Sequence, residues 1–391
     1  MRGHARRNGG ISGEAAAAVH RPVTVPAVRL TALALRDFRN FPRLDLTLPD
    51  EGLVVVGENG HGKTNLLEAI YYLQLLRSVR GARDVDLVRF GAAGFHLDGA
   101  LANGRTITVG FERQSRRKRV TVDGASVARL SDGIGTLPSV MFSPADVDLV
   151  GGAPVARRRY LDILLALASR PYLAALQTYR GALVRRNAAL RDAARTGRAD
   201  ARVSVWDTPL AQAGGVLWRQ RRAWVAAVAD RYAALCTEIG ESGLGALRYA
   251  TSLDGGGDPE AAIAAALEAR RALDVRRGMT QAGPHRDDLT LTLDGRDLRT
   301  FGSAGQQRSA AIALRMLEWE TLRDACGAAP LLLLDDPFAE LDARRAARIL
   351  ALLSGAGIGQ TVLTVPRQTD IPREFTRLSR TLSRRGWSRR W

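Results

Sequence analysis

The chain has 391 residues, 46% of them hydrophobic and 25% charged, with a formal net charge of +17 at pH 7. That balance fits a globular protein of two domains, or one large domain carrying an insertion, and it argues against a membrane partner because no apolar run reaches the ~18 to 20 residues a span needs. The charge favours polyanionic partners, although nearly all of it is Arg, with Lys only at Lys63 and Lys118, as compositional drift would also produce.

In chain order, residues 1–27 form an Arg-rich, acid-poor arm, read as disordered or as the product of a start codon placed too early, with a transit peptide the weaker alternative. Val28 to Leu48 alternates apolar and polar residues and predicts two strands joined by a turn. Leu53-Val-Val-Val56 predicts a short buried strand, followed by a Gly-rich loop and a helix from Lys63 to about Leu76. Strands are expected at Phe95–Leu101, Thr106–Arg113 and Arg119–Val122. Residues 155 to 235 carry Ala, Leu and Arg at helical spacing, which predicts three or four helices with a break at Ala194 to Arg202. A loop is expected at Gly255–Gly257, and strands at Leu289–Leu293 and Asp297–Phe301 around an Asp294-Gly295 turn. Gly305 to Arg323 reads as a helix, Leu331–Leu334 as a buried strand, Ala343–Leu353 as a helix and Gln360–Val365 as a strand, with a basic, mobile tail from Arg373. Cys236 and Cys326 fit no metal spacing and read as buried small hydrophobes in a reducing compartment.

Gly57-Glu-Asn-Gly-His-Gly-Lys-Thr64 fits G-x-x-x-x-G-K-[ST] in full, with a strand running in and a helix running out. Its glycines, Gly57, Gly60 and Gly62, let successive N–H groups face phosphates, and the helix start adds partial positive charge. Lys63 would reach the outer phosphates of ATP, and the Thr64 hydroxyl would be a Mg²⁺ ligand. Lys is kept here in a chain that otherwise uses Arg, because a thin ammonium stem enters between phosphates where a planar guanidinium does not. His61 reads as a spacer. Asn59 and Asn65, with Arg39 and Asn40 of the first turn, are candidate nucleotide contacts.

Leu331-Leu-Leu-Leu-Asp-Asp336 is an apolar strand ending in two carboxylates. Asp335 is expected to hold Mg²⁺ and Asp336 to orient or deprotonate the attacking water, slowly, since Asp is shorter than Glu. Phe301-Gly-Ser-Ala-Gly-Gln-Gln-Arg308 opens a helix, where Ser303, Gly305 and Gln306 would meet a terminal phosphate. In that order and spacing these segments resemble the Walker and signature motifs of ABC ATPases, and Ala339-Glu-Leu-Asp342 resembles their D-loop.

The match narrows further. Phe38-Arg-Asn-Phe41, Phe142-Ser-Pro-Ala-Asp146, Gly152-Ala-Pro154, Arg157-Arg-Arg-Tyr-Leu-Asp162, Arg185-Arg-Asn187, Trp206-Asp207, Gly283-Pro-His-Arg-Asp-Asp-Leu289 and Leu333-Leu-Asp-Asp-Pro-Phe-Ala-Glu-Leu-Asp342 resemble the bacterial RecF family, in order, from about residue 29 to 365. The resemblance implies an α/β ABC-ATPase head, a P-loop NTPase with a mixed sheet and flanking helices, carrying an inserted, mainly helical second domain. Its ranges would be a basic arm at 1–27, ATPase parts at 28–125 and 281–370, the helical lobe at 126–280, and a basic tail at 371–391. It implies an ATP-dependent homodimer in which Ser303 of one copy closes over ATP held by the other, with Lys63, Asp336 and Ser303 as the catalytic set. It further implies binding to double-stranded DNA and to gap junctions, action with RecR and in a pathway with RecO and RecA, weak ATPase activity, and a cytoplasmic, nucleoid-associated setting.

Three features depart from this pattern or leave it open. No switch His follows Gln360–Val365, the Q-loop candidates are Gln74 and Gln114, and His285 with Arg286 reads either as a buried polar pair or as part of the nucleotide or subunit junction. The Arg runs at 116–119, 157–159, 185–186 and 219–222 are either solvated faces or a phosphate-neutralising surface. Two other readings fit the sequence less well. The nucleotide-binding subunit of a transporter is opposed by the Asp pair, the missing His and the helical block. A nuclease with an ABC head is opposed by the lack of a second acidic cluster.

Overall fold

The computed structural model describes residues 26–196, 200–253, 257–338, 341–355, 357–376 and 378–382. Its strands are β1 (Leu30–Phe38), β2 (Phe41–Thr47), β3 (Gly52–Val56), β4 (Gly94–Leu101), β5 (Thr106–Glu112), β6 (Arg117–Val122), β7 (Ala125–Ser126), β8 (Ser139–Phe142), β9 (Gly245–Ala250), β10 (Asp288–Leu293), β11 (Arg296–Asp297), β12 (Leu331–Asp335), β13 (Thr361–Val365) and β14 (Ser379–Leu382). The longer helices are α1 (Lys63–Leu75), α2 (Pro154–Ala168), α3 (Arg170–Thr196), α4 (Asp207–Ile239), α5 (Pro259–Ala269), α6 (Ala304–Cys326) and α7 (Ala343–Gly355).

The central sheet runs β14-β3-β13-β12-β8, and every pair in it is parallel. Both of its faces are covered, so its strands read as continuous apolar runs rather than alternating ones. Alternation survives in where the side chains go. Leu53, Val55, Leu331 and Leu333 join one core, while Val54, Val56, Leu332 and Leu334 join the other. The first core is filled by α1, which lies between the central sheet and a six-stranded antiparallel sheet of order β2-β1-β4-β5-β6-β7. A helix covered on several sides needs apolar residues all round, and Leu66, Leu67, Ala69, Ile70, Tyr71, Tyr72 and Leu73 are all buried. The second core joins α6 and α7 to a helical lobe of α2 to α5, which carries its own small sheet, β11-β10-β9. The fold is therefore a mixed α/β P-loop head with flanking helices and a helical insertion.

Parallel strands bring their carboxyl ends to one edge, and ligands of open α/β sheets bind there. Only β13 separates β3 from β12, so the loop leaving β3 and the carboxylates ending β12 meet. Gly52 opens β3 at φ 119°, where a side chain would collide with the Thr361 backbone.

Several expectations are corrected. Only the start of Asp297–Phe301 is strand: the Asp297 side chain accepts a bond from Thr300 N at 3.1 Å and starts a helical turn over Leu298–Phe301. The segment 126–280 is not wholly insertion, since β8 inside it pairs with β12 in the central sheet. The tail is structured as far as 382: Phe375 and Leu378 are buried, and β14 pairs in parallel with β3. Cys236 is buried, its thiol pushed up to about 11 by burial, but Cys326 is exposed at the end of α6. Most of the N-terminal arm, Gly255 and Gly256 of the Gly cluster, part of the break at Ala194 to Arg202, Ala339 and Glu340 of the D-loop-like segment, and the last residues of the tail lie outside the described residues.

Candidate nucleotide-phosphate site

The loop after β3 is tied at its start, where Gly57 N donates to Val365 O at 3.1 Å. Gly60 and Gly62 sit at φ 84° and 89°, the left-handed region that favours glycine. A side chain on Gly62 would also strike the Asn40 amide, so the tip of the β1–β2 hairpin requires glycine here. Gly62 caps α1 with no side-chain acceptor, which leaves the first N–H groups of the helix for an anion.

Lys63 is buried, and its ammonium donates to Gly57 O at 2.5 Å and Glu58 O at 3.0 Å. Those carbonyls occupy donor capacity that phosphate oxygens would take. Burial pushes the Lys63 ammonium below its ordinary value, and the charges of Asp335 and Asp336 pull it back up. Thr64 Oγ1 donates to Asp335 Oδ1 at 3.2 Å, and Thr364 Oγ1 donates to the same oxygen at 2.8 Å. Asp336 has φ 44°, and burial, followed by the adjacent Asp335 charge, raises its carboxyl above the ordinary value against the pull of Lys63. Asn59, Gly60, Gly62, Lys63, Thr64, Asn65, Asp335 and Asp336 line one cleft of about 340 Å³, together with Arg80 and Pro144.

The donor set suits a hard, oxygen-loving cation. Among the described residues no group of three or more His, Cys, Asp or Glu is placed to hold a metal. The Thr64 hydroxyl and the Asp335 carboxylate instead form a sparse oxygen pair beside a phosphate loop, which fits Mg²⁺, an ion that keeps several waters and completes its shell with phosphate oxygens.

Other candidate residues fall elsewhere. Asn40 accepts from Asn65 Nδ2 at 2.8 Å at the loop's edge. Arg39 does not line the cleft: Nε and Nη2 form a fork on the buried Glu68 carboxylate at 3.0 and 3.1 Å. Ser303, Gly305 and Gln306 lie outside this cleft too. Ser303 is exposed, and it shares a capping box with Gln306, Ser303 Oγ accepting from Gln306 N at 3.2 Å and Gln306 Oε1 from Ser303 N at 2.9 Å. Gln74 is buried, and its carbonyl oxygen holds the backbone and hydroxyl of Ser139; Gln114 is exposed at the β5–β6 turn. His285 bridges Tyr179 OH at 2.6 Å and Thr280 O at 3.0 Å, away from the phosphate cleft. His61 lies 3.6 Å from Glu58.

The Arg runs split by helical geometry. Arg157, Arg186 and Arg221 are buried on acids, while Arg185 and Arg219 are exposed. Lys118 is paired with Asp84 at 2.7 Å. The residue that sequence reasoning missed is Thr364. Its signal is a hydroxyl inside the apolar strand Thr361-Val-Leu-Thr-Val365, and the parallel register sets it beside Asp335.

Sheet order, loop and acidic strand end together define a P-loop ATPase head with an inserted helical lobe. The family model of the RecF/RecN/SMC N-terminal domain matches residues 29–384. The chain is 40% identical to the DNA replication and repair protein RecF of Frankia alni, over 89% of this chain and 96% of that one, and 39% identical to that of Chloroflexus aurantiacus, over 88% and 94%. A solved structure of the recombination mediator protein RecF-ATP, of the RecFOR pathway, matches with TM-score 0.83 at 28% identity, covering 90% of this chain and 96% of that one. A Pyrococcus furiosus Smc head domain shares the fold at TM-score 0.51 and 16% identity, over 88% and 91% of the two chains. The chain belongs to the RecF family.

Proposed function

We propose that this chain is an ATP-dependent DNA-binding protein of recombinational repair that dimerises on binding ATP, binds double-stranded DNA near single-stranded gaps and, with RecR and RecO, helps load RecA. The observation that carries this reading is the meeting of Lys63, Thr64, Asp335 and Asp336 in one cleft, while Ser303 stands exposed at the start of α6. Lys63 would exchange its two carbonyl partners for phosphate oxygens, and the first N–H groups of α1 would take the rest of the charge. Thr64 and Asp335 would hold Mg²⁺, which would supply neutralisation of phosphate charge. Asp336, its carboxyl raised by burial, would accept a proton from the attacking water. Ser303, Gly305 and Gln306, exposed or partly so and outside the lining of the chain's own cleft, would meet the terminal phosphate held by a second copy. Hydrolysis is expected to be weak and DNA-stimulated, and the setting cytoplasmic and close to the nucleoid. No described helix is long and apolar enough to cross a membrane.

Sedimentation with and without ATP and duplex DNA tests the reading. The chain should dimerise only with ATP and tighten on duplex, and Lys63→Ala should weaken ATP binding at least about tenfold and remove both effects. DNA binding that is unchanged without ATP and in Lys63→Ala would sink the coupling.

A further inference from the structure

A second cavity, of about 560 Å³, lies between the segment after α1 and the helical lobe, and it shares no lining residue with the phosphate cleft. Five arginines line it against a single carboxylate, Asp162. That carboxylate is already saturated: Arg221 reaches it at 2.7 Å, Arg180 at 2.8 Å and the Tyr172 hydroxyl at 2.7 Å. Arg77, Arg158 and Arg159 remain. Arg158 donates to Asp287 O at 2.9 Å, and Arg159 to Ser78 O and Val79 O, both at 3.0 Å. Those neutral carbonyls fix the two guanidinium groups without cancelling their charge. Arg77 makes no hydrogen bond or ion pair among the described residues. Burial pushes Arg77 and Arg158 below their ordinary values; neighbouring arginines push the same way, and Asp162, with Asp288 beside Arg158, offsets this only in part. A half-buried cluster of cations is costly unless an anion completes it.

The rest of the wall is apolar. Val155 stands exposed at the mouth, and Leu176, Leu183 and Leu217 line the interior. A bare inorganic ion has no use for such a wall, whereas the organic body of a phosphorylated molecule does. Three guanidinium groups also suit a dianion better than a backbone diester, which carries one charge per phosphate. We propose that this cavity binds a phosphate monoester on an organic body of mononucleotide size, independently of the phosphate loop. The source is either a free nucleotide or the 5′-phosphorylated end of a DNA strand.

Calorimetric titration of the full chain with 5′-AMP in the absence of Mg²⁺ tests this, with adenosine as the control. The expected result is binding of AMP and not of adenosine, retained in Lys63→Ala and weakened about tenfold or more in Arg77→Ala and in Arg158→Lys, with an unfolding temperature that neither variant lowers. Arg77→Ala breaks no hydrogen bond among the described residues, and the unfolding temperature reads any loss of packing. Binding that vanishes in Lys63→Ala, or ignores both Arg variants, overturns the proposal. A parallel titration compares duplexes with 5′-phosphate and 5′-hydroxyl ends. A preference for phosphate that depends on Arg77 identifies the DNA end as the source, and AMP binding without that preference identifies the free nucleotide. Absence of both signals overturns the proposal as well.

Discussion

His285 is a base that the fold prevents from taking a proton. Tyr179 donates to its Nδ1 and its Nε2–H donates to Thr280 O, so both ring nitrogens are used in the neutral form. Burial lowers it to about 4, and the charges of Arg286, Arg158 and Arg186 push the same way. The unfolded chain protonates near the ordinary 6.5, so between the two values the unfolded state binds more protons. The contribution to stability is complete above about 6.5 and is lost as pH falls toward 4. Denaturant unfolding at pH 7.5 and pH 4.5 should show the wild type losing up to about 3 kcal/mol more than His285→Gln. Equal losses would mean that this imidazole is not held neutral. The same scale explains what the sequence reveals of the site. Gly57 to Thr64 is legible because its chemistry is contiguous, with strand, loop and helix in one run. Thr364 is hidden because its role depends on a strand register that pairs it with Asp335 across 29 positions. The ion pair of Arg39 is hidden for a similar reason: its partner Glu68 lies on α1, and nothing in the turn itself points to that carboxylate.

In the helical lobe, one turn decides which Arg of a pair is structural. Arg185 and Arg186 are neighbours in α3 and point about 100° apart. Arg186 is fully buried and donates to Asp207 at 2.8 Å, Asp274 at 2.7 Å and Thr280 Oγ1 at 2.9 Å, locking α3 to α4 and to the segment 271–277. Arg185 is exposed and lies over the Trp206 ring at 5.5 Å. Arg186→Met should lower the unfolding free energy by about 3–5 kcal/mol, because it strands the buried Asp274 carboxylate, whereas Arg185→Met should cost less than about 1 kcal/mol. Chemical denaturation of both variants separates the two, and equal effects would refute the assignment. Composition alone shows only two adjacent arginines. The long helices and the first three strands were readable because their periodicity runs over many residues. β8 and β9 escaped notice because short runs such as Ser139-Val-Met-Phe142 carry no period, and pairing defines them. α5 did carry a local signal, Asp258 capping with Pro259 at the first position, but it follows a Gly cluster that reads as loop. The end of the chain reads as mobile in sequence because basic residues mask the two apolar anchors, Phe375 and Leu378, that carry it to β14.

For the whole molecule, the distance between function and chain lies in Ser303. It opens a 23-residue helix, it is exposed, and it does not line the cleft that holds Lys63. If two copies close head to head about a two-fold axis, each phosphate is held by the loop of one copy and the helix start of the other. That geometry allows complementation between two dead variants. Lys63→Ala loses the loop and keeps the helix start. Ser303→Arg keeps the loop, blocks the helix start with a bulky cation, and costs only about 1 kcal/mol of capping. Neither should hydrolyse ATP alone. Neither variant closes a homodimer on ATP, so the dimers that an equimolar mixture forms carry one copy of each, and each such dimer has one intact site, built from Lys63 of the Ser303→Arg copy and Ser303 of the Lys63→Ala copy. Mixing should therefore restore up to about half of the wild-type ATPase rate if the two sites act independently. Steady-state ATPase assays on the separate and mixed variants decide the point. If the mixture stays inactive while Ser303→Arg still binds ATP normally, shared sites require the two to act together; if Ser303→Arg alone is fully active, its helix start takes no part in the reaction and the head-to-head arrangement fails.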